Sequence, residues 1–175
     1  MVEIADLSFV LAGASVCVAA FYYIFHMRYT MKSREMETLK YLTEFMLSET
    51  RLQSFGIVYH QLEWKDWKDF KQKYWDSNPE MYARINSLFG MGNELGYIVR
   101  NKLASAERLY DLGGWAFLQL WNRYSGYFYW RREQMSHITG RDFYRNFEFL
   151  AQEMKKINDS RRQTQEQMKP ISQKI

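Results

Sequence analysis

The chain has 175 residues, enough for one domain with a short appendage and too few for several domains. Its 24 basic and 20 acidic side chains give a formal charge of +4 and are intermixed along the chain, which argues against a nucleic-acid-binding arm. A single cysteine excludes an intrachain disulfide and agrees with a reducing compartment.

From Leu7 through Met27 no Asp, Glu, Lys or Arg occurs. A helix of that length matches the ~30 Å of bilayer hydrocarbon, at about 1.5 Å of rise per residue. A signal peptide needs a basic start and small residues at its cleavage site. Here Glu3 and Asp6 precede the run, and Phe21, Tyr22, Tyr23 and Phe25 fill its end. A buried soluble helix is the other reading, but the span is expected. Tyrosines suit the interface, where ring and hydroxyl are both satisfied. Arg28, Lys32 and Arg34 follow at once, so the positive-inside rule puts residues 1–6 outside and the domain in the cytoplasm. Small residues, with Gly13 and Cys17 four apart, provide a face where another helix can approach closely.

Residues 28–157 form the expected cytoplasmic domain. Setting Glu3 and Asp6 aside leaves 24 basic against 18 acidic side chains. Only Pro79 and Pro170 break the chain, and 18% of residues are aromatic. Abundant helix formers and scarce breakers predict an all-α class: one N-terminal transmembrane helix followed by a four-helix-type bundle with a short extra aromatic helix.

Tyr41, Phe45, Ser48, Leu52, Phe55, Tyr59 and Leu62 alternate at spacings of four and three, the seam of one helix. Nothing between Met27 and Glu35 breaks that helix from the anchor. Its aromatic content favours packing within the domain over a homodimeric coiled coil. Glu63 to Trp75 reads as a short amphipathic helix. Trp64, Trp67, Phe70 or Lys71, and Tyr74 share one face, and lysines and aspartates fill the rest. An upright helix to Leu62 would carry this segment roughly 50 Å from the membrane. Docking on the bundle is therefore expected, ahead of a partner subunit or lipid headgroups.

Asn78 reads as the cap of a new helix, with Pro79 at its first position and Glu80 in its first turn. It extends to about Lys102, with Met81, Ile85, Leu88, Gly92, Leu95 and Val99 as its core stripe. "GMGNELG" (90–96) lacks the strand a phosphate loop needs and reads as close helix–helix approach. After Ser105, the residues Leu109, Leu112, Ala116, Leu120, Tyr124, Tyr127 and Arg131 fall near one face. Thr139 to Asp142 has the form of a capping box. The helix it opens is expected to bury Phe143, Phe147, Leu150, Met154 and Ile157. Residues 158–175 are polar and aperiodic and read as a flexible tail.

No reactive constellation is legible. Three histidines, His26, His60 and His137, occur without any Glu-x-x-His. His60 with Glu63, and Glu133 with His137, read as surface contacts. Cys17 lies in the expected span. No catalytic, cofactor or metal residue is assigned, and the isolated chain is not expected to be an enzyme. The polar residues that stand out are Asn93, Glu94 and Arg100, then Asp111, Trp121 and Arg131. Glu94 borders an apolar stripe and would need a cation from Arg100, Arg108 or Arg131, giving an interhelical ion-pair network.

Three stretches, "WKDWKDFKQKYW", "GNELGYIVRNKLASAERLYDLGG" and "LWNRYSGYFYWRRE" followed by "FEFLAQEM", resemble a bacterial and archaeal family of unknown function with one N-terminal span and a helical cytoplasmic domain. The resemblance covers roughly residues 35–156 and brings no activity with it. In size and anchoring the chain is also similar to accessory subunits of archaeal membrane enzyme complexes, including ammonia monooxygenase. The expectation is a non-catalytic, membrane-anchored protein that acts by protein contact, with membrane lipid and other membrane subunits or a second copy as partners. A sensory or regulatory module is the alternative. It would bind a ligand or, less in keeping with the charge pattern, nucleic acid. A cavity lined by Glu94, Arg100 and Arg131 would mark a ligand-binding module.

Overall fold

The computed structural model describes residues 4–139 and 143–172, all in helices or the turns between them, with no strand among them. The chain divides into two units, Met1–Lys40 and Tyr41–Ile175.

Helix α1 runs over Ile4–Met46. In the first unit its large apolar side chains are exposed all round the helix: Leu11, Val16, Phe21 and Phe25 each keep more than 60% of their surface open. Two of its hydroxyls bond within the helix. Ser15 donates to the Leu11 carbonyl at 2.8 Å and Thr30 to that of His26 at 2.9 Å. Among the described residues this is the one helix long and apolar enough to cross a membrane.

The second unit opens with the end of α1. The expected single helix through Leu62 is broken. A turn at Leu47 and Ser48 separates α1 from α2, Glu49–Gly56, which widens into a π-helical turn over Ile57–Gln61. Ser48 has extended backbone, with Glu49 in the first turn of α2. The buried residues are Leu42, Met46, Ser54, Val58 and Leu62, whereas Tyr41 and Leu52 of the expected seam are exposed. The Phe45 side chain lies outside the described residues.

Trp64 precedes a helix instead of lying on one. Helix α3 covers Trp67–Phe70, capped by Asp66, whose carboxylate accepts from Asp69 N–H at 2.8 Å. A π-helical stretch, Lys71–Asp76, continues it. Helix α4 is Pro79–Arg100, with Asn78 Oδ1 accepting from Met81 N–H at 3.0 Å, as its sequence predicts. Ile85, Leu88, Gly92, Leu95 and Val99 are buried on its inner face, joined by Phe89, Met91 and Gly96. Helix α5, Ala106–Leu109, passes into a third π-helical turn, Tyr110–Gly114, and then into α6, Trp115–Thr139. Gly113 bends the chain there at φ +101°, a conformation open to glycine at little cost. Of the face read from sequence, Leu109, Leu120, Tyr124 and Tyr127 are fully buried. Leu112 is exposed, and the buried set of α6 is Phe117, Leu120, Trp121, Tyr124, Tyr127 and Phe128.

Helix α7 is Arg145–Ser172. The expected capping box at Thr139 to Asp142 falls largely outside the described residues. Phe147, Leu150 and Met154 are buried as expected, while Phe143 and Ile157 are only half-buried. Past Ile157 the chain stays helical instead of unstructured. Two contacts hold the first part of that extension. Tyr110 donates its hydroxyl to Asn158 Oδ1 at 2.9 Å, and Arg161 pairs with Asp111 at 2.6 Å.

Helices α4, α6 and α7 pack on one another. The core is aromatic, with Phe70, Phe89, Tyr124, Tyr127, Phe128 and Phe147 fully buried. Each such ring stabilises the fold by about 1.5–3 kcal/mol through burial, and edge-to-face contacts such as Phe89–Phe128 at 4.7 Å add to it. Helix α7 approaches α4 where α4 lacks side chains. A Cβ at Gly92 would lie 2.7 Å from the Phe147 ring, and one at Gly96 would lie 1.8 Å from the Asn146 carbonyl oxygen. Gly92 and Gly96 thus serve close helix approach, whereas nothing lies within 4 Å of a Cβ at Gly90.

Candidate functional site

The residues singled out from sequence do not form one site. Gly13 and Cys17 lie on α1 in the first unit; Cys17 is exposed and nothing stands within 4 Å of a Cβ at Gly13. Asn93 and Arg100 do converge, both on Asn146 of α7. Asn146 donates its N–H to Asn93 Oδ1 at 3.2 Å, and Arg100 Nη1 donates to Asn146 Oδ1 at 3.3 Å. These polar contacts align α7 beside the Gly96 crossing. Glu94 is exposed, so the buried ion pair expected for it is absent. The nearby cation it acts on is Arg51, part-buried, which donates to Met91 Sδ at 3.5 Å. Desolvation lowers the Arg51 pKa, and the Glu94 charge opposes that. Asp111 is engaged by Arg161, and Trp121 is a core residue stacked on Phe128 at 5.1 Å.

Trp64 and Trp67 are docked on the domain. Trp64 stacks on Tyr124 at 5.2 Å and meets Phe70 at 5.1 Å, under the Arg123 guanidinium at 4.8 Å. A Cβ at Gly126 would lie 2.8 Å from the Trp67 ring, so the absence of a side chain in α6 makes the seat for this indole. Arg123 also donates to the Leu62 carbonyl at 2.6 Å, fixing the chain just before Trp64. The Tyr124 hydroxyl donates to the Val58 carbonyl inside the π-helical turn, and burial pushes its pKa up to about 12.

Arg131 sits elsewhere, in an open cleft of ≈ 710 Å³ between the π-helical end of α3 and the second half of α6. Lys68, Lys71, Gln72 and Asp76 line one side, and Trp130, Arg131 and Gln134 the other. Spacings of three and four residues place each group on one helix face. Neither Glu94 nor Arg100 lines it. Lys71 is neutralised by Asp76. Nearby, Asp69 accepts from Lys65 N–H at 3.0 Å and pairs with Lys73 at 3.0 Å. The backbone hydrogen bond, then Lys73, hold its carboxyl below the usual range. Lys68 and Arg131 have no carboxylate partner among the described residues. The buried Arg131 Nε has no hydrogen-bond acceptor, and neither has the Tyr127 hydroxyl beneath it. Burial raises the Tyr127 pKa and the Arg131 charge opposes that rise.

The far end of α6 holds a different polar group. Arg132 pairs with Glu148 at 2.7 Å and donates to the Phe143 carbonyl at 2.8 Å, while Tyr129 donates to Glu148 at 2.8 Å. It joins α6 to α7. Sequence reasoning missed it because Glu148 and Arg132 are distant in the chain. The described residues contain no group of three or more His, Cys, Asp or Glu side chains placed to hold a metal ion. His60 is exposed, and the His137 side chain is outside the described residues.

The class defined by these features is an all-α domain preceded by a long exposed apolar helix. The chain belongs to the family described as a domain of unknown function, DUF4760, which matches residues 9–154 and so takes in most of that helix as well as the domain. No curated protein and no solved structure matches the chain.

Proposed function

We propose that this chain is a membrane-anchored, non-catalytic helical protein that acts by contact with other proteins, as an accessory or scaffold subunit of a membrane complex. The observation that carries the reading is the surface of α1. Residues 11–29 are exposed, including Leu11, Val16, Phe21 and Phe25, each with more than 60% of its surface open. So much contiguous apolar surface is not stable in water and calls for lipid or other helices. Gly13 and Cys17 leave one face open to a second helix. The basic residues Arg28, Lys32 and Arg34 favour a cytoplasmic domain and an outside N-terminus. Among the described residues, Arg100, Arg132 and Asn146 join helices through their polar groups, which suits a binding role. Archaeal membrane enzyme complexes, ammonia monooxygenase among them, are the first complexes to test.

The experiment is purification of the full chain from native membrane in mild detergent. Co-purification of integral membrane subunits at fixed stoichiometry is expected. A chain that runs alone as a monomer at every detergent concentration would sink the proposal.

A further inference from the structure

We propose that the cleft between α3 and α6 binds a phosphorylated small molecule of about mononucleotide size, with its phosphoryl group between Lys68 and Arg131 and its flat ring against Trp130.

The first support is unbalanced charge. The cleft brings three cations to one carboxylate, and that carboxylate already pairs with Lys71. Lys68 and Arg131 are left facing each other's helix without an anion among the described residues. Two like charges lining one concavity repel each other, and an anion between them removes the repulsion. The second support is the balance of donors. Guanidinium and ammonium groups only donate, and the primary amides of Gln72 and Gln134 add further N–H groups. A phosphoryl group presents several acceptor oxygens and matches that surplus. Arginine serves it as a fork and lysine as a point charge.

Size and shape narrow the class. At ≈ 710 Å³ the cleft is far larger than inorganic phosphate and lies within the ~300–1,000 Å³ typical of small-molecule sites. Trp130 supplies its one aromatic wall, half-exposed and braced from behind by Tyr127 at 5.9 Å. An indole held in that way offers a stacking surface to a ring. Arg131 lines the cleft while its buried Nε has no hydrogen-bond partner, and an incoming anion would reorder that guanidinium.

A soluble ligand and a lipid headgroup both carry a phosphate that suits this chemistry. The test therefore uses the full chain in nanodiscs of purely zwitterionic lipid and again in nanodiscs containing phosphatidylglycerol. AMP and inorganic phosphate are titrated by calorimetry. Saturable AMP binding in zwitterionic discs is expected, tighter than that of inorganic phosphate and weaker at higher salt. Arg131→Gln and Lys68→Gln should each weaken it at least tenfold with unchanged circular dichroism. Lys73→Gln, at a lysine already paired with Asp69 outside the cleft, should leave it within twofold. Loss of AMP binding only in the anionic discs assigns the site to a headgroup. Absence of saturable binding of both probes in both kinds of disc overturns the proposal, and so does equal AMP affinity in parent, Arg131→Gln and Lys68→Gln. None of these readings depends on whether the chain joins a larger complex.

Discussion

Gly96 and Gly90 stand six residues apart on α4 and respond oppositely to the same substitution. A Cβ at Gly96 would lie 1.8 Å from a backbone oxygen of Asn146, so α7 must move to admit it. Gly96→Ala should cost roughly 1–3 kcal/mol through overpacking, lowering the denaturant midpoint. Nothing lies within 4 Å of a Cβ at Gly90. Gly90→Ala should stabilise by about 0.5–1 kcal/mol, because alanine loses less chain entropy in a helix. Equal shifts in the two variants would show that the α4–α7 crossing is wider than described. Glu94 was legible as a charge bordering an apolar stripe, but not as exposed. Its stripe ends one position away, and helical periodicity does not resolve a single position at the edge. Glu94→Gln should accordingly move stability by no more than about 0.5 kcal/mol, the usual range for a surface site. Tyr124 adds a pH dependence. Its pKa is raised by burial to about 12 in the folded chain, against about 10 in an unfolded one. The folded state therefore holds its proton more tightly. The stability from this group is intact below pH ~10 and is lost as pH rises toward ~12. Thermal midpoints should fall over that window, and less steeply in Tyr124→Phe. An identical slope in the variant would assign the loss to other tyrosines.

At the level of elements, the readable features were those set by local chemistry. Asn78–Pro79–Glu80 specifies a helix start on its own, since the cap, the fixed φ of proline and the acidic first turn all act within one turn. Asn78→Ala should cost about 0.5–2 kcal/mol and lower the thermal midpoint. An unchanged midpoint would mean that Met81 N–H finds another acceptor. The break at Ser48 was not readable, because no proline or glycine marks it, and the apparent seam from Tyr41 to Leu62 ran straight across it. The observed buried set, Leu42, Met46, Ser54, Val58 and Leu62, recurs at multiples of four across the break and shares Leu62 with that seam, whose Phe55 and Tyr59 are half-buried. The three π-helical turns were hidden for a related reason. Each inserts a residue into the helical register, at Ile57–Gln61, Lys71–Asp76 and Tyr110–Gly114, and no residue type compels this. The cleft follows from one of them. Lys68 read as a position on the polar face and Lys71 as an alternative to Phe70 on the aromatic one, and only tertiary packing against α6 brings both into one cleft with Arg131. Arg131 itself stood out in sequence; its neighbours in space did not.

For the whole molecule, the all-α class and the single apolar N-terminal helix were legible because they depend on composition and long-range charge pattern, which no packing detail can reverse. The orientation proposed for it in a membrane rests on the same kind of signal. The basic residues that matter lie within ~15–20 positions of the span, and Arg28, Lys32 and Arg34 all do, whereas Glu3 and Asp6 are on the other flank. The membrane potential and anionic inner-leaflet lipids pull in the same direction. The far end of the chain gives a direct readout. Arg161 and Arg162 are exposed near the end of α7, where trypsin has access if it is on the same side of the membrane. Trypsin added to intact cells should leave a C-terminally tagged chain at full length, and trypsin added to inverted vesicles should remove the tag. Removal from intact cells, with a cytoplasmic marker still intact, would reverse the orientation and place the domain and its cationic cleft outside.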